Sequence, residues 1–371
     1  MACYLPPTGA VGRGVRLTAR PWRGIACVVG VAGLGLACAS ANGPARVAAL
    51  AGALLLPACN RRKAAQVNPI IPSIKVNRIK APLGSALEIT YTWTLEPGAT
   101  KLDQDYRALV HFVDTHDVML FEDDHAPVPP PSTWEAGKSY SYTRTRFVPV
   151  YPYVGEVDVR MGLYPHPGRG ERPTLKGEDR GFREYKVATL ELLPQTENIF
   201  LVYKEGWHNP ETHPENPSVE RMWTKKDALV TFKNPNFNTD KRTDVVVYLQ
   251  GDTCVKCFAR VPELTVSVGN NVGLRFPIEG PQVFLKKIRV KAADLGTDEW
   301  TDLRLSMNQS FVPKNLNPPL NDDERELGFN VYHLYLVDAA LAGSPEGVTD
   351  AVAVALAAPS PAAAVPAAKK P

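Results

Sequence analysis

The stretch Leu87-Glu88-Ile89-Thr90-Tyr91-Thr92-Trp93-Thr94-Leu95 alternates apolar and polar side chains over nearly its whole length. Successive side chains of an extended chain point to opposite faces, so this pattern predicts a β-strand with one apolar face and one wet face. The turn residues Glu96-Pro97-Gly98 follow it directly. An antiparallel sheet with one solvated face is typical of such alternation, whereas a parallel sheet covered by helices is not.

Similar short segments continue along the chain, separated by Gly, Pro and Asp. Further strands are predicted at residues 106–114, 118–122, 139–148, 157–164 and 183–192, and then at 199–204, 228–233, 244–250, 264–268, 282–291, 302–307 and 329–337. This spacing predicts an all-β chain with two consecutive antiparallel β-sandwiches of the immunoglobulin-like or jelly-roll kind. Their predicted limits are residues 70–195 and 198–338.

The composition supports this fold class and excludes one class of partner. The 34 prolines and 27 glycines favour short elements with many turns, because proline interrupts helices and central strands. Residues 1–58 hold five arginines and no acidic residue, which leaves 37 basic against 39 acidic residues in 59–371, a net charge of −2. Nucleic-acid binding requires a basic face that neutralises phosphates, and the sequence offers none.

The N-terminus has the parts of an export signal. Arg46 precedes the apolar residues 47–58, which are too few for a membrane span of about 20 residues. Leu56-Pro57-Ala58-Cys59 resembles the lipobox of bacterial lipoproteins, with Pro57 as a departure from the usual pattern. The resemblance implies that residues 1–58 are a targeting segment, that Cys59 carries acyl chains such as palmitate, and that residues 59–69 form a lipidated linker. Asn60 favours the outer membrane.

Two other interpretations of the N-terminus stay open. Cys38 could be the modified residue, although Gly35 then occupies the position where the lipobox has a large aliphatic side chain. The apolar residues 25–41 could instead form a single transmembrane helix.

Several short motifs resemble modules associated with bacterial membrane glycosyltransferases. In the second half these are Gly206-Trp207-His208-Asn209-Pro210-Glu211, Arg221-Met222-Trp223, Phe311-Val312-Pro313 and Asp322-Asp323-Glu324-Arg325-Glu326-Leu327-Gly328. In the first half Val110-His111-Phe112 and Gly162-Leu163-Tyr164 are similar to another module of these systems. The resemblance implies a galactose-binding-like sandwich whose surface holds a sugar or a glycan-linked partner.

Four residues of the second half are the candidate ligand-binding residues: Trp207, Glu211, Trp223 and Arg325. An aromatic ring can stack on a sugar face, and nearby acidic and basic groups can bind its hydroxyls. Tryptophan is also a common core residue, and the charged run that contains Arg325 could be a solvated loop held by local ion pairs.

A polar cluster in the first half contains His111, Asp124 and His125, which are the candidate metal ligands. The competing explanation is turn chemistry, because aspartate side chains cap the ends of hairpins. No second motif supplies the remaining ligands, so no metal or other cofactor is predicted.

Cys254 and Cys257 remain if Cys59 is lipidated and the preceding segment is removed, and an even pair in an exported protein suggests a local disulfide. Redox activity is the first alternative, although the flanks do not predict the helix that such chemistry uses. A zinc site that recruits His208 and His213 is the second.

The sequence therefore predicts an envelope-anchored, non-catalytic lipoprotein that binds a glycan or a protein partner in surface or polysaccharide assembly. The alternatives are a structural component of an envelope complex and a metal-dependent hydrolase that uses the His111 to His125 cluster. Residues 339–371 are rich in Ala, Val and Pro, and this composition predicts a disordered tail.

Overall fold

Strand β3 (Ala86–Leu95) contains the alternating stretch and lies in the middle of a three-stranded antiparallel sheet. In this computed structural model, which describes residues 67–150, 153–166, 170–213, 216–269, 272–343 and 347–354, the apolar side chains of β3 are buried. Thr90 and Thr92 lie on the other face and bond across the sheet to the hydroxyls of Thr143 and Ser141, at 2.9 and 2.8 Å.

The first sandwich consists of two sheets. Its strands are β1 (Ile70–Val76), β2 (Lys80–Pro82), β3, β4 (Tyr106–Asp114), β5 (Met119–Glu122), β6 (Ser139–Phe147), β7 (Gly155–Pro165), β8 (Glu178–Asp179) and β9 (Tyr185–Leu193). One sheet has the order β1-β3-β6, and the other has the order β2-β9-β7-β4-β5, with β8 paired to β9. The inner faces enclose one apolar core, to which Trp93 and Trp134 contribute the largest side chains.

The second sandwich follows directly. Its strands are β10 (Leu201–Tyr203), β11 (Glu211–His213), β12 (Asn216–Trp223), β13 (Asp227–Lys233), β14 (Val245–Asp252), β15 (Glu263–Val268), β16 (Val272–Pro277), β17 (Phe284–Val290), β18 (Trp300–Met307), β19 (Asn330–Asp338), β20 (Val348–Asp350) and β21 (Val352–Ala353). Its sheets have the orders β10-β13-β18-β15-β16-β21 and β11-β12-β19-β14-β17-β20. A separate apolar core fills the space between them.

The predicted all-β class with two consecutive sandwiches is confirmed by this strand order. The bounds of the predicted strands differ from the observed ones by at most two residues. The pairing departs from a purely antiparallel arrangement at two edges, where β2 pairs with β9 and β17 pairs with β20 in parallel.

Helical structure within the described residues is limited to four short 3-10 turns: Pro131–Thr133, Val255–Cys257, Ala292–Leu295 and Pro313–Asn315. None of the described helices is long and apolar enough to cross a membrane.

Part of the range predicted as a tail pairs with the second sandwich. β20 and β21 lie inside residues 339–371, the range predicted to be disordered, yet β20 pairs with β17 and β21 pairs with β16. Backbone hydrogen bonds to two existing edges order this segment, and its composition does not report them. The second sandwich therefore extends beyond residue 338, and residues 355–371 lie outside the described part of the chain.

The two sandwiches contact each other through a small apolar cluster. Ala86 and Phe147 of the first sandwich pack against residues of β14 and β19, among them Tyr248 and Tyr335. The ring of Phe147 also stacks on His333, with centroids 4.3 Å apart. The β14 and β19 residues of this cluster lie on the outer face of the second sandwich, so the first sandwich covers part of that face.

A buried ion pair accompanies this contact. The Glu88 carboxylate, whose side chain is 3% exposed, accepts a hydrogen bond from the Lys287 ammonium group. Loss of either charge would destabilise the fold, because a buried charge that loses its counter-charge has a large desolvation penalty.

We expect Glu88→Gln to lower the free energy of unfolding by about 3 kcal/mol, because the variant removes the negative charge beside a buried ammonium group. Urea unfolding followed by circular dichroism measures the change. The matched control is Glu191→Gln, which removes one partner of the solvent-exposed pair Lys80–Glu191 and should leave the unfolding midpoint nearly unchanged. Equal effects of the two substitutions would contradict the assignment.

Candidate functional site

Glu211 and Arg325, two of the candidate ligand-binding residues, lie in contact in the second sandwich. The Arg325 guanidinium donates to a Glu211 carboxylate oxygen at 3.3 Å and to Asp323 at 2.7 Å. Asp323 also accepts the backbone N–H of Arg325 at 2.9 Å, a local turn that holds the arginine in place. The contact with the Arg325 guanidinium lowers the pKa of the Asp323 carboxyl group, although burial partly offsets this effect.

Trp223 and Arg221 extend this group along β12. They are two positions apart in a strand, so their side chains share one face. Arg221 lies opposite Glu211 in the β11–β12 ladder, and its guanidinium is 3.2 Å from the Glu211 carboxylate. The Trp223 ring is half-buried and meets the ring of Phe311 edge-on, with centroids 6.1 Å apart.

Tyr332 and Asp252 complete the arrangement and were not predicted from the sequence. The Tyr332 hydroxyl donates to Asp252 at 3.2 Å, and burial together with the Asp252 charge raises the pKa of Tyr332. A bulge at Gly251 sets the register, and a side chain at this position would meet the Asn330 carbonyl oxygen at 2.3 Å. Only glycine fits there, so the bulge is built into the sequence.

We call this group of residues the β12 face: Glu211, Arg221, Trp223, Arg325 and Tyr332. It combines an aromatic ring, a carboxylate held between two guanidinium groups, and a phenol. These groups can donate and accept hydrogen bonds in a fixed geometry, and the ring supplies an apolar surface beside them. The combination suits a polyhydroxylated ligand.

Trp207 has a different environment from the other predicted residues. Its indole N–H donates to the Leu229 carbonyl at 2.9 Å, and its ring packs against the core and against Tyr203. The structure therefore gives Trp207 a packing role, and it does not join the β12 face.

A second tryptophan of this sandwich is more exposed. Trp300 begins β18 on the opposite sheet, is 42% exposed and lies edge-on to Phe200, with centroids 6.1 Å apart. It provides an aromatic surface that is independent of the β12 face.

The sulfur atoms of Cys254 and Cys257 are bonded as a disulfide, the pairing that the sequence suggested. Bonded sulfurs supply no thiolate to a metal, which argues against the zinc alternative at this position. Of the two histidines in that alternative, His208 is 2.7 Å from the Glu326 carbonyl oxygen and His213 lies beside Tyr332.

Two depressions on the second sandwich lie apart from the predicted residues. One of about 660 Å³ is lined by Arg242 and Asp298, among others, and one of about 240 Å³ is lined by Phe276 and Lys286, among others. Both are open to solvent, and neither contains a residue of the β12 face.

The candidate metal ligands of the first sandwich lie on opposite faces of one sheet, with His125 on the inner face and His111 and Asp124 on the outer face. His125 is 4% exposed, and its Nδ1–H donates to the Asp123 carbonyl at 2.5 Å while Nε2 lies 2.8 Å from the Tyr142 hydroxyl. Tyr91 and Arg144 bind the Asp123 carboxylate in the same buried network. Both ring nitrogens of His125 are engaged, so the structure does not place it with His111 and Asp124.

His111 and Asp124 do lie together, on the outer face of the same sheet, and Glu122 joins them. One donor atom from each of these three side chains lies within 4.8 Å of the others. His111 Nε2 is 3.9 Å from an Asp124 carboxylate oxygen, and His111 Nδ1 is 3.2 Å from Glu184. Adjacent residues of a strand face opposite sides, which separates His125 from Asp124 and aligns Glu122 with Asp124.

Acidification should destabilise the first sandwich through His125. Burial, together with the positive charge of Arg144, lowers the pKa of His125 to about 4, whereas an unfolded histidine has a pKa of about 6.5. At pH values between these two pKa values, His125 is protonated in the unfolded chain and neutral in the folded chain. We therefore expect the free energy of unfolding to fall by about 3 kcal/mol from this group as the pH drops from about 6.5 to about 4.

Urea unfolding at several pH values in this window measures the effect as a slope. His125→Asn should flatten the slope relative to the unsubstituted protein. The control His116→Asn alters a side chain that is 82% exposed and should keep the original slope. An unaltered slope in His125→Asn would refute the assignment even if that variant is less stable at every pH.

Comparison with known proteins gives no family for this chain. No protein-family model matches, and no curated protein matches. Among solved structures, a family GH115 4-O-methyl-α-glucuronidase, BtGH115A, with specificity for decorated arabinogalactans, has 14% identity and a TM-score of 0.27. The match covers 43% of this chain and 20% of the glucuronidase, so the chain spans about a fifth of that enzyme.

Two similar structures are carbohydrate-binding proteins. One, from a study of promiscuous carbohydrate-binding modules of the β-sandwich superfamily, has 9% identity and a TM-score of 0.18, over 74% of this chain and 98% of that one. The other is the tandem CBM22-1-CBM22-2 domain of Paenibacillus barcinonensis Xyn10C, with 8% identity and a TM-score of 0.21, over 74% and 95%. TM-scores this low carry no functional argument, and the sandwich architecture rests on the strand order described above.

Proposed function

We propose that this chain is an envelope-anchored, non-catalytic lipoprotein whose second sandwich binds a glycan on the β12 face. The observation that carries the proposal is the contact of two candidate residues from separate segments, Glu211 and Arg325, beside β12, where Trp223 lies two positions from Arg221. A single carboxylate lies between the guanidinium groups of Arg221 and Arg325, so the charged groups are held before a ligand arrives.

Sugar recognition uses the two properties that this face combines. Hydroxyl pairs of a sugar can accept from a guanidinium fork and donate to a carboxylate, and these charge-assisted bonds are stronger than neutral ones. The Trp223 ring offers an apolar surface for the C–H face of a sugar ring. Arg221 and Tyr332 are additional donors at the same face.

The position of the β12 face leaves it accessible. The first sandwich covers the part of β14 and β19 that carries Tyr248, His333 and Tyr335. Beyond His333 the ladder continues to the Asp252–Asn330 pair at the other end. The β12 face lies at this second end, so a glycan could bind there without displacing the contact between the sandwiches.

The anchor is proposed from the N-terminal sequence alone, because Cys59 lies outside the described residues. The charged Arg46, the apolar residues 47–58 and Leu56-Pro57-Ala58-Cys59 support export and lipidation, with the outer membrane as the favoured location. The Cys254–Cys257 disulfide is compatible with an oxidising compartment.

A second candidate function, a metal-dependent hydrolase, is favoured by one observation, the clustering of His111, Glu122 and Asp124. A purely structural role in an envelope complex is the remaining alternative within binding proteins. It predicts that substitutions on the β12 face leave every glycan interaction unchanged.

The glycan proposal is tested with the full chain in detergent, on an array of bacterial surface polysaccharides followed by calorimetry with the best ligand. We expect Trp223→Ala and Arg325→Gln each to weaken binding by more than about tenfold, because stacking of a sugar on an aromatic ring and charge-assisted hydrogen bonds each contribute on the order of 1–3 kcal/mol. Circular dichroism checks that both variants keep the sheet structure.

Trp300→Ala is the matched control, since it removes an exposed tryptophan from the opposite sheet of the same sandwich. It should keep full affinity. Loss of binding in Trp300→Ala with retention in Trp223→Ala would move the site to the opposite sheet, and absence of any glycan binding would overturn the proposal.

Lipidation is tested by metabolic labelling with a fatty-acid analogue in a bacterial host. We expect Cys59→Ser to abolish the label and to release the protein from the membrane fraction, because the acyl chains hold the chain at the bilayer. Cys38→Ser is the control and should be labelled normally. Labelling that survives Cys59→Ser and disappears in Cys38→Ser would identify the rival site.

A further inference from the structure

We propose that His111, Glu122 and Asp124 form a zinc-binding site on the outer face of the first sandwich, with Glu184 as the residue that positions the histidine. The site belongs to the first sandwich and does not depend on the β12 face. Its ligand is a divalent transition-metal ion, and Zn²⁺ is the best match among the common ones.

Strand geometry brings the three ligands together. His111 of β4 lies directly opposite Glu122 of β5 in the antiparallel ladder, so the two side chains share a face. Asp124 follows Glu122 by two positions and lies on that same face. A register shift of β5 by one residue would send Glu122 and Asp124 to the core side, which the apolar packing of Phe112 and Phe121 prevents.

Outer contacts orient two of the three ligands. A carboxylate can only accept, so the Nδ1–H of His111 donates to Glu184 at 3.2 Å, while Nε2 lies 3.9 Å from an Asp124 carboxylate oxygen, where it can bind a metal ion in its unprotonated form. Asp124 accepts the backbone N–H of Val110 at 2.8 Å on the carboxylate oxygen nearest His111. A carboxylate that binds the far nitrogen of a metal-ligating histidine is the usual partner arrangement in zinc sites.

Glu184 is itself held in place. Its side chain is half-buried, and a guanidinium nitrogen of Arg172 lies 3.1 Å from its second oxygen. His111 and Arg172 contact different oxygens of the Glu184 carboxylate, so this side chain is held beside the ring of His111.

The charges around the cluster favour a cation. Arg160 is the neighbour of His111 on β7 and is bound by Asp117, while Arg107 donates to the backbone oxygen of Asp124. Three carboxylates, those of Glu122, Asp124 and Glu184, lie around the His111 ring. They supply negative charge that a bound cation would neutralise.

The ligand set and its spacing select the ion. One imidazole with two carboxylates suits Zn²⁺ better than Ca²⁺ or Mg²⁺, which take oxygen ligands. Ligands at about 2.1 Å from Zn²⁺ are roughly 3.4 Å apart, so the observed 3.9 Å between His111 and Asp124 needs only a small closure. Glu122 is exposed with a donor atom within 4.8 Å of the other two ligands, and three protein ligands leave a further position for water.

The test uses the full chain in detergent, treated with EDTA and with its free thiols alkylated so that cysteine cannot bind zinc. Calorimetric titration with ZnCl₂ should show about one equivalent bound with micromolar or tighter affinity, and zinc should raise the melting temperature. Glu122→Gln and His111→Ala should each weaken zinc binding by more than about tenfold. Glu184→Gln should weaken it by about 10- to 100-fold, although Glu184 does not contact the metal.

His116→Ala is the matched control, because it removes an exposed histidine of the adjoining turn and should leave zinc affinity unchanged. Cobalt(II) in place of zinc gives an absorption band that Glu184→Gln should shift, which a merely structural role for Glu184 would not produce. Glu122 is exposed, so its variant keeps the test decisive if His111→Ala does not fold. Wild-type protein with a native spectrum and no zinc binding, or unchanged affinity in Glu122→Gln and His111→Ala, would overturn the proposal.

Discussion

Each strand of this protein can turn only every second side chain toward a core, and this two-residue period decides the chemistry of both faces of every sheet. In β3 it sends Tyr91 and Trp93 inward and leaves threonines outside. Where the chain continues beyond β5, it sends Asp123 and His125 into a buried network and keeps Asp124 outside. One rule thus separates the neutral, enclosed His125 from the polar side chains of the outer face within a few residues of sequence.

The strands that could be predicted are those whose own pattern reports the burial of one face. Residues 87–95 and 106–114 alternate clearly, and both form strands with almost the predicted bounds. β1, β11 and β20 escaped prediction because they are held by pairing with a neighbouring strand. β1 even contains Pro72, which an edge strand tolerates because proline lacks only the outward N–H. Such strands depend on a partner that is distant in sequence.

The candidate sites also contain residues that short motifs indicate and residues that only the fold brings into the site. Glu211, Trp223 and Arg325 could be named from short motifs, but the contact of Glu211 with Arg325 beside β12 depends on the β11–β12 ladder and on a turn at Asp323. Tyr332 looks like any other strand residue, and its relation to Asp252 follows from a bulge that only the fold reveals. Glu122 is different, since the alternation rule applied to residues 122–125 would have chosen it in place of His125.

The short strands β20 and β21 have a consequence for how this chain can be shortened. Together they lie along the free edges of both sheets of the second sandwich, one against β17 and one against β16. An open edge presents a row of unused backbone donors and acceptors that recruits other chains. Ending the protein at residue 338, where the composition changes, would uncover β16 and β17 at once and create a surface prone to self-association, whereas an end beyond residue 354 would keep both strands covered where β20 and β21 pair with them.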